Sequence, residues 1–295
     1  MRTIPVSPMK FFLGGLGNLY ANMETITEAV IEADGLGFQG ALMPDHYMWG
    51  DMRGHRMPNA YSTLETWVTL TYLAGKTENI SLGTLVTPLP FRPPAMLAKM
   101  LSTLDVLSGG RVILGVGAGW SKDEFDGYST WGGNKYRVDK TIEGLKLMVE
   151  LWTRDVVDFK GEFYEAKGAV LDPKPVQKPY PQLLFGSQGD RMLGLTGRYG
   201  NICFIPPWSG DQHESTKAKV LEAAEEAGRA GEVEFMTGDM GSRGPYDGGE
   251  LSQSVEAAVE GGAGIYMASF PRDNLLDSMH RFADEVMPSY VRSMR

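Results

Sequence analysis

Short apolar runs alternate with helix-like segments along the whole chain. The runs are rich in Val, Ile, Leu and Phe and are bounded by Gly, Pro or Asn, which is typical of strands buried on both faces of a parallel sheet. Eight such runs predict eight strands, at residues 11–14, 39–43, 80–86, 111–116, 183–186, 202–205, 233–236 and 265–268.

In three of the intervening segments, apolar residues recur every three or four positions, which predicts helices with one buried face. Eight strands separated by helices favour an α/β fold, a closed (β/α)8 TIM barrel, in a single domain that covers residues 1–295. An open doubly wound sheet is the alternative, although such sheets usually have fewer strands. The helical stripes are Met96, Leu97, Met100, Leu101 and Leu104; Ile142, Leu145, Met148, Val149 and Trp152; and Met279, Phe282, Ala283, Val286 and Tyr290.

Three connections are longer than simple loops. Residues 44–60 follow the second strand, residues 120–135 form an irregular stretch after the fourth, and residues 155–181 contain a strand-like stretch that predicts an extra hairpin before the fifth strand. Segments that follow barrel strands lie on the C-terminal face, where barrel active sites are built. We therefore expect the insertions after strands 2 and 4 to contribute to a site.

Composition and charge exclude several classes of protein. A net charge of −9 without a basic cluster argues against a nucleic-acid partner. No run approaches the ~20 apolar residues of a membrane span, and the N-terminal segment has no apolar core of a signal peptide, so we expect a cytoplasmic protein. The single cysteine, Cys203, is expected in the core, and the four histidines lack metal-ligand spacing, so no metal site or metal-dependent hydrolase is expected.

Two segments after predicted strands carry candidate chemistry. Asp45-His46 follows the second strand, and a histidine beside an acid can move protons near neutral pH; the alternative is a histidine that bonds a backbone group. Gly186, Ser187, Gln188 and Gly189 precede a helix predicted to begin near Asp190. Exposed N–H groups there, with Arg191, would hold an anion, although an ordinary turn has the same composition.

Several segments of the chain together resemble the bacterial-luciferase-like family of flavin and deazaflavin oxidoreductases. They are residues 29–46, 81–111, 104–120 and 181–201, and the closing helix that contains FADEVMPSY. The resemblance implies a TIM barrel, usually a homodimer, that acts on a small-molecule substrate. It places the ring of a flavin or deazaflavin in the barrel mouth, beside the glycine loop of Gly117, Ala118 and Gly119.

The same resemblance favours coenzyme F420, an 8-hydroxy-5-deazaflavin, over FMN. In the F420 branch an Asp-His pair at the place of Asp45-His46 touches the cofactor and the histidine transfers a proton, with Trp49 as part of the same site. It implies a non-prolyl cis peptide at Thr84-Leu85 behind the ring and a hydrogen bond from Thr87 to the ring. Residues 186–189 and Arg191 would hold the cofactor phosphate.

One position departs from the pattern of family members that oxidise a sugar phosphate. They carry a glutamate directly after the glycine pair, where this chain has Trp120. Glu124, one turn later, is the candidate second protonic group, with Asp123 beside it, or it orients the loop. A bulky apolar residue at this place favours an apolar or aromatic substrate. Cations in the loop after strand 2, Arg53 and Arg56, could meet the acidic tail of the cofactor or an anionic substrate.

The function expected from these residues is hydride transfer between F420 and a small organic substrate, with His46 moving the proton. An FMN-dependent luciferase-like monooxygenase, working with a separate flavin reductase, is one alternative. A catalytically silent flavin-binding barrel is the other.

Overall fold

Eight parallel strands close into a barrel, as the apolar runs predict. The computed structural model describes residues 8–17, 22–48, 51–52, 55–56, 63–241 and 244–291. Each strand pairs with its neighbour in the chain, and the eighth pairs with the first through Lys10↔Ile265 to Leu13↔Ala268, so the ring of strands is closed and the open-sheet alternative is excluded. The strands are β1 (Lys10–Leu13), β2 (Gly40–Met43), β3 (Ser81–Thr84), β4 (Val112–Gly117), β5 (Gln182–Phe185), β6 (Ile202–Phe204), β7 (Glu234–Gly238) and β8 (Ile265–Ala268).

Helices follow the strands and cover the barrel. The first two apolar stripes lie on helices. The third helix ends at Glu285 and a 3-10 turn at Met287–Ser289 follows, so Val286 and Tyr290 of the third stripe lie outside it. The helices in the described part of the chain are α1 (Met23–Leu36), α2 (Thr66–Ala74), α3 (Pro94–Ser108), α4 (Lys122–Tyr128), α5 (Gly133–Thr153), α6 (Asp190–Tyr199), α7 (Gln212–Glu226), α8 (Gly248–Glu260) and α9 (Leu275–Glu285).

Strand side chains alternate between two apolar layers because successive residues point to opposite faces. In β1, Phe12 points into the barrel, whereas Phe11 and Leu13 pack against the helices. Removing one such large side chain from water contributes about 1.5–3 kcal/mol. The inner layer fills the barrel with Phe12, Leu42, Ile113, Leu184, Ile202, Phe204, Met236, Ile265 and Met267, so the interior is a packed core and only the C-terminal rim is left for a ligand.

The long connections differ in structure. The predicted hairpin before β5 is present as Val157–Lys160 and Glu165–Ala169, paired antiparallel. The stretch after β4 is not irregular as expected: it holds the short helix α4 and the start of α5. After β2, the backbone forms a small antiparallel pair, Asp51–Met52 with His55–Arg56.

The third strand is interrupted at the barrel rim. β3 ends at Thr84, and Thr87–Pro88 resumes pairing with β4 after two residues. Those two residues, Leu85 and Val86, are partly exposed above the inner apolar layer. The sequence run 80–86 therefore contains both a strand and the segment that forms the floor of the mouth.

Within the described residues, no helix has the length and hydropathy that crossing a membrane requires.

Candidate active site at the barrel mouth

A buried carboxylate joins the loops that follow β2 and β4. Glu124, 1% exposed on α4, places Oε2 2.6 Å from His46 Nδ1. Its other oxygen, Oε1, accepts hydrogen bonds from the backbone N–H groups of Tyr47 at 2.9 Å and Met48 at 3.2 Å. Because an ionised carboxylate only accepts, Nδ1 of the imidazole is the donor in this pair. Glu124 therefore sets both the orientation of His46 and the path of the loop that carries it.

Asp45, next in the chain to His46, has no exposed surface. Arg92 binds its carboxylate in a bidentate manner, Nη1 to Oδ2 at 2.6 Å and Nη2 to Oδ1 at 2.9 Å, and Thr87 Oγ1 donates to Oδ2 at 2.8 Å. Burial lowers the pKa of the Arg92 guanidinium, but the charge and hydrogen bonds of Asp45, together with Tyr47 and Glu65, raise it overall above its ordinary value. Asp45 thus supports the base of the loop, and the predicted contact of its carboxylate with a cofactor remains a prediction.

Arg92 also orders neighbouring parts of the loop. A second carboxylate, Glu65, bonds its Nη2, and the guanidinium lies 5.0 Å from the centre of the Tyr47 ring. Burial raises the pKa of Tyr47 to about 12, so the phenol is neutral at physiological pH. The sequence interpretation missed Arg92, and its signal was weak: an arginine before two prolines is equally typical of a surface turn.

Two threonines link β3 to this network. Thr87 Oγ1 also accepts from Trp67 Nε1 at 3.1 Å and lies 3.1 Å from Thr84 Oγ1. Thr84 Oγ1 in turn accepts from the N–H of Gly115 at 3.1 Å. Both hydroxyls are buried and bonded within the protein. The contacts of Thr84 and Thr87 with a cofactor ring therefore remain predictions, and the observed role of these hydroxyls is to hold the rim together.

Trp120 forms a wall beside the histidine. It is 51% exposed, and its ring centre lies 5.6 Å from that of His46 in an edge-on arrangement. An aromatic cluster of Tyr47, Phe91, Phe125 and Tyr128 joins the segments after β2, β3 and β4, with contacting ring centres 4.7–5.0 Å apart. The surface next to the imidazole is therefore aromatic.

The Leu85-Val86 segment is the floor of the mouth. A cis peptide bond joins Leu85 to Val86, so the expectation of a cis bond at Thr84-Leu85 is wrong by one residue. A Cβ at Gly117 would come within 2.5 Å of Val86 Cγ2, and one at Gly186 within 3.3–3.4 Å of both Leu85 and Val86. Glycine on β4 and after β5 therefore leaves room for this segment. The sequence shows the glycines but not which neighbour needs the space.

The remaining predicted cofactor contacts differ in exposure. Gly117 is buried, whereas Ala118 and Gly119 are partly exposed, and Gly119 has a φ of +79° that favours glycine. After β5, Gly186 and Ser187 are partly exposed and line the approach to α6, which begins at Asp190 as expected. Trp49, Arg53 and the side chain of Arg56 lie outside the described residues.

At the predicted anion site, the arginine already pairs with a carboxylate of the protein. Arg191 Nη2 lies 2.5 Å from Asp139 Oδ1, and Asp139 also pairs with Lys135 at 2.6 Å. Gln188 Nε2 donates to Ser209 Oγ at 3.3 Å. Gly189 precedes the first turn of α6, and a Cβ added there would meet no atom within 4 Å. The N-terminus of α6 therefore has space for an anion, which would compete with Asp139 for Arg191.

The cysteine and two of the histidines lie outside the mouth. Cys203 is buried as expected, and burial raises its pKa to about 12. His280 is exposed and pairs with Glu32 at 3.2 Å, whereas His213 on α7 is half-buried. The described residues contain no cluster of His, Cys, Asp and Glu that could hold a metal ion.

Comparison with known proteins assigns the family. The model of the luciferase-like monooxygenase family matches residues 9–239. The chain belongs to the luciferase-like monooxygenase family. A solved F420-dependent secondary alcohol dehydrogenase, in complex with an F420–acetone adduct, superposes with a TM-score of 0.82 at 22% identity, over 95% of this chain and 98% of that one. At that identity the likeness supports the TIM-barrel fold.

Two relatives show the spread of chemistry within the family. The chain is 33% identical to an F420-dependent glucose-6-phosphate dehydrogenase of Amycolatopsis mediterranei, over 70% of this chain and 60% of the relative. It is 31% identical to an FMNH2-dependent dimethylsulfone monooxygenase of Pseudomonas putida, over 50% of this chain and 40% of the relative. The chain thus spans 60% of the length of the first relative and 40% of the length of the second. Family membership supports an oxidoreductase-type enzyme, and the two relatives differ in their cofactor, which is F420 in one and FMNH2 in the other.

Proposed function

We propose that this protein is a coenzyme F420-dependent oxidoreductase that transfers a hydride between the deazaflavin and a small, apolar or aromatic organic substrate. The observation that carries the proposal is the Glu124–His46 pair at the barrel mouth, with its 2.6 Å hydrogen bond. Oxidation of an alcohol or reduction of a carbonyl moves a proton with the hydride, and a positioned imidazole is the common carrier of that proton.

The mouth fits a planar cofactor in two respects. Leu85 and Val86 present partly exposed apolar surface where glycine at positions 117 and 186 leaves space. The N-terminus of α6, with Arg191 beside it, suits a phosphate. These residues would hold the ring and the phosphate respectively. A bound 5-deazaflavin supplies hydride transfer and, having carbon where a flavin has its reactive nitrogen, is restricted to it.

The side chains around this cofactor site would do three things. Glu124 fixes the tautomer and orientation of His46 by accepting from Nδ1. His46 would take the hydroxyl proton of the substrate during oxidation, or return it during reduction. Trp120 would exclude water and favour an apolar substrate, because its exposed ring lies beside His46. In the family members that oxidise a sugar phosphate, a glutamate stands at this position.

FMN-dependent monooxygenation is the second candidate. The Pseudomonas putida relative, an FMNH2-dependent enzyme at 31% identity, favours it, as does the family description. In that case the protein would need a flavin reductase as partner, and oxygen would be consumed.

Cofactor titration separates these functions. The purified protein is titrated with coenzyme F420 and with FMN, followed by absorbance and fluorescence. We expect F420 to bind at least 10-fold more tightly, and oxidation of reduced F420 by small aromatic ketones or aldehydes to proceed equally with and without oxygen. Oxygen-dependent turnover with reduced FMN alone would establish the monooxygenase instead. Tight binding with no turnover across the panel would establish a silent barrel.

A histidine variant tests the proton-transfer role. His46→Ala is expected to retain F420 binding within about threefold and to lose most of its kcat, because the ring is proposed to move a proton rather than to anchor the cofactor. Full activity of the variant would remove His46 from the reaction.

We also propose a homodimer. Neighbouring helices α2 and α3 expose Val68, Tyr72, Met96 and Leu107, and Val68 and Leu107 are 66% and 69% exposed. Large apolar side chains exposed next to one another on neighbouring helices favour a contact between subunits, because the contact would remove them from water. Light scattering after size exclusion should give twice the chain mass, and Val68→Glu with Leu107→Glu should give the monomer; a monomeric wild type contradicts the proposal.

A further inference from the structure

A buried arginine contacts the glycine loop that follows β4. Arg137 lies on the second turn of α5 and is 5% exposed. Its Nε donates to the carbonyl oxygen of Gly119 at 3.3 Å, and its Nη2 donates to Asn134 Oδ1 at 2.6 Å. Nη1 is sealed from solvent and has no acceptor among the described residues. An apolar side chain would fill the same space without leaving a donor unpaired, so packing alone does not account for an arginine here.

Two aromatic rings hold the guanidinium of Arg137 in place. Its central carbon lies 3.6 Å from the centre of the Trp131 ring and 5.5 Å from that of Phe125. The two rings contact each other edge-on, with centres 5.6 Å apart. A guanidinium is planar and carries its donors in a fixed fork, so stacking on a ring also fixes the direction in which its N–H groups point. Arg137 is therefore a rigid hydrogen-bond donor rather than a flexible charge.

The carbonyl oxygen that accepts from Arg137 belongs to the peptide bond between Gly119 and Trp120. Gly119 has a φ of +79°, which residues with a side chain rarely adopt, and a Cβ there would come within 2.5 Å of Phe125 and 3.2 Å of Pro88. Phe125 and Pro88 thus enclose the backbone on the side where a Cβ would stand. The hydrogen bond from Nε adds a constraint on the plane of the next peptide bond, the one that leads to Trp120.

The direction of the Trp120 ring depends on this peptide bond. The ring is 51% exposed, and its centre lies 5.6 Å from that of His46. A half-exposed ring has fewer neighbours to hold it than a buried one, and its allowed rotamers are set relative to the backbone that carries it. A change in the plane of the Gly119–Trp120 peptide bond therefore moves the aromatic wall relative to the imidazole.

We propose that Arg137 is a positioning residue that sets the direction of Trp120 and thereby determines the preference of the mouth for aromatic over small aliphatic substrates. This role rests on the proposed function, because it takes the substrate to lie beside His46 and Trp120. Arg137 acts through the Gly119–Trp120 peptide bond. Lysine at position 137 keeps the charge but has neither the planar face nor the Nε donor, so this substitution should loosen the wall.

A ratio of specificities tests this role. The substrates are acetophenone and butanone, and the measured quantity is the ratio of their kcat/KM values, which does not depend on how much of the protein is active. In Arg137→Lys this ratio should fall about fivefold, as expected for a lost aromatic contact, through a higher KM for acetophenone and with kcat within about twofold. Trp120→Ala should lower the ratio at least as much, and in that background Arg137→Lys should have almost no further effect. Arg154→Lys, at the other end of α5, is the matched control and should leave the ratio unchanged. An unchanged ratio in Arg137→Lys, or an undiminished effect in the Trp120→Ala background, would overturn the proposal.

A measurement without cofactor separates the failure of this proposal from that of the proposed function. The chain contains six tryptophans, so fluorine NMR of protein labelled with 5-fluorotryptophan gives few signals, and Trp120→Phe assigns that of Trp120. Arg137→Lys should shift or broaden this signal, whereas Arg154→Lys should not. If neither F420 nor FMN supports turnover, the proposed function fails and the Trp120 signal alone decides the role of Arg137; an unmoved signal overturns that role in either case. Should Arg137→Lys not fold, Trp131→Leu, which removes the ring under the guanidinium, should give the same changes in both measurements.

Discussion

Replacing Glu124 by glutamine tests whether a single buried carboxylate organises the catalytic histidine. The substitution keeps the size of the side chain and one amide oxygen, which can still accept from the backbone of residues 47 and 48. It removes the charge that faces His46 Nδ1 at 2.6 Å. Because an amide NH2 would then face a ring N–H, this hydrogen bond is lost unless the amide or the imidazole turns.

The size of the effect follows from the type of bond. A hydrogen bond to a charged partner contributes about 1.5–3 kcal/mol, which corresponds to a roughly 10- to 150-fold change in rate if the bond acts fully in the transition state. If the same energy is lost from folding, a domain of this size melts roughly 2–5 °C lower. We expect kcat to fall within this range, and the dissociation constant of F420 to change less than threefold, since Glu124 bonds the histidine and its loop.

Two measurements check the prediction. Stopped-flow oxidation of reduced F420 gives the rate, and side-chain nitrogen NMR reports the hydrogen bond directly, because the chain has only four histidines and His46→Ala assigns the signal. In the wild type the Nδ1 proton should be protected and shifted downfield, and in Glu124→Gln this signal should disappear. Asp123→Asn, an exposed neighbour on α4, is the control and should leave rate, melting temperature and NMR signal unchanged. A Glu124→Gln protein with wild-type kcat and an intact Nδ1 signal would refute the reasoning.

Three further predictions concern the rim and the core. Thr87→Val, nearly the same shape, should cost about 1–3 kcal/mol in urea denaturation because it leaves three buried polar partners without their hydroxyl; a change below about 0.5 kcal/mol contradicts this estimate. Gly117→Ala should weaken F420 binding at least 10-fold in fluorescence titrations by displacing the floor of the mouth, whereas Gly194→Ala, in an open place on α6, should leave binding unchanged and add about 0.5–1 kcal/mol of stability. Cys203 should react with a thiol reagent only as fast as the protein unfolds, since burial raises its pKa to about 12; fast labelling of the native protein would show that the core is open there.

The order of strands and helices was readable from the sequence because it depends on local patterns. Runs of buried residues, glycine at strand ends and stripes at helical spacing are set by near neighbours in the chain, and all eight predicted strands are present. The same rule predicted the hairpin before β5 and the start of α6. It failed where the local signal was mixed, since Lys122–Tyr128 forms a helix inside a stretch rich in glycine and polar residues. The cis bond, which the family resemblance and not a local pattern implied, lies one residue beyond the expected place.

The sequence by itself also determined which residue types reach the barrel mouth, because every segment after a strand ends at the same face. It named His46 and Glu124 as separate candidates. Only the tertiary structure decided that they are a pair, since 78 residues separate them and their contact depends on how two loops pack. For the same reason Arg92 binds Asp45, from which it is separated by 47 residues in the chain. A hydrogen-bond partner is chosen by distance and angle within a few tenths of an ångström, and no pattern of neighbouring residues encodes that.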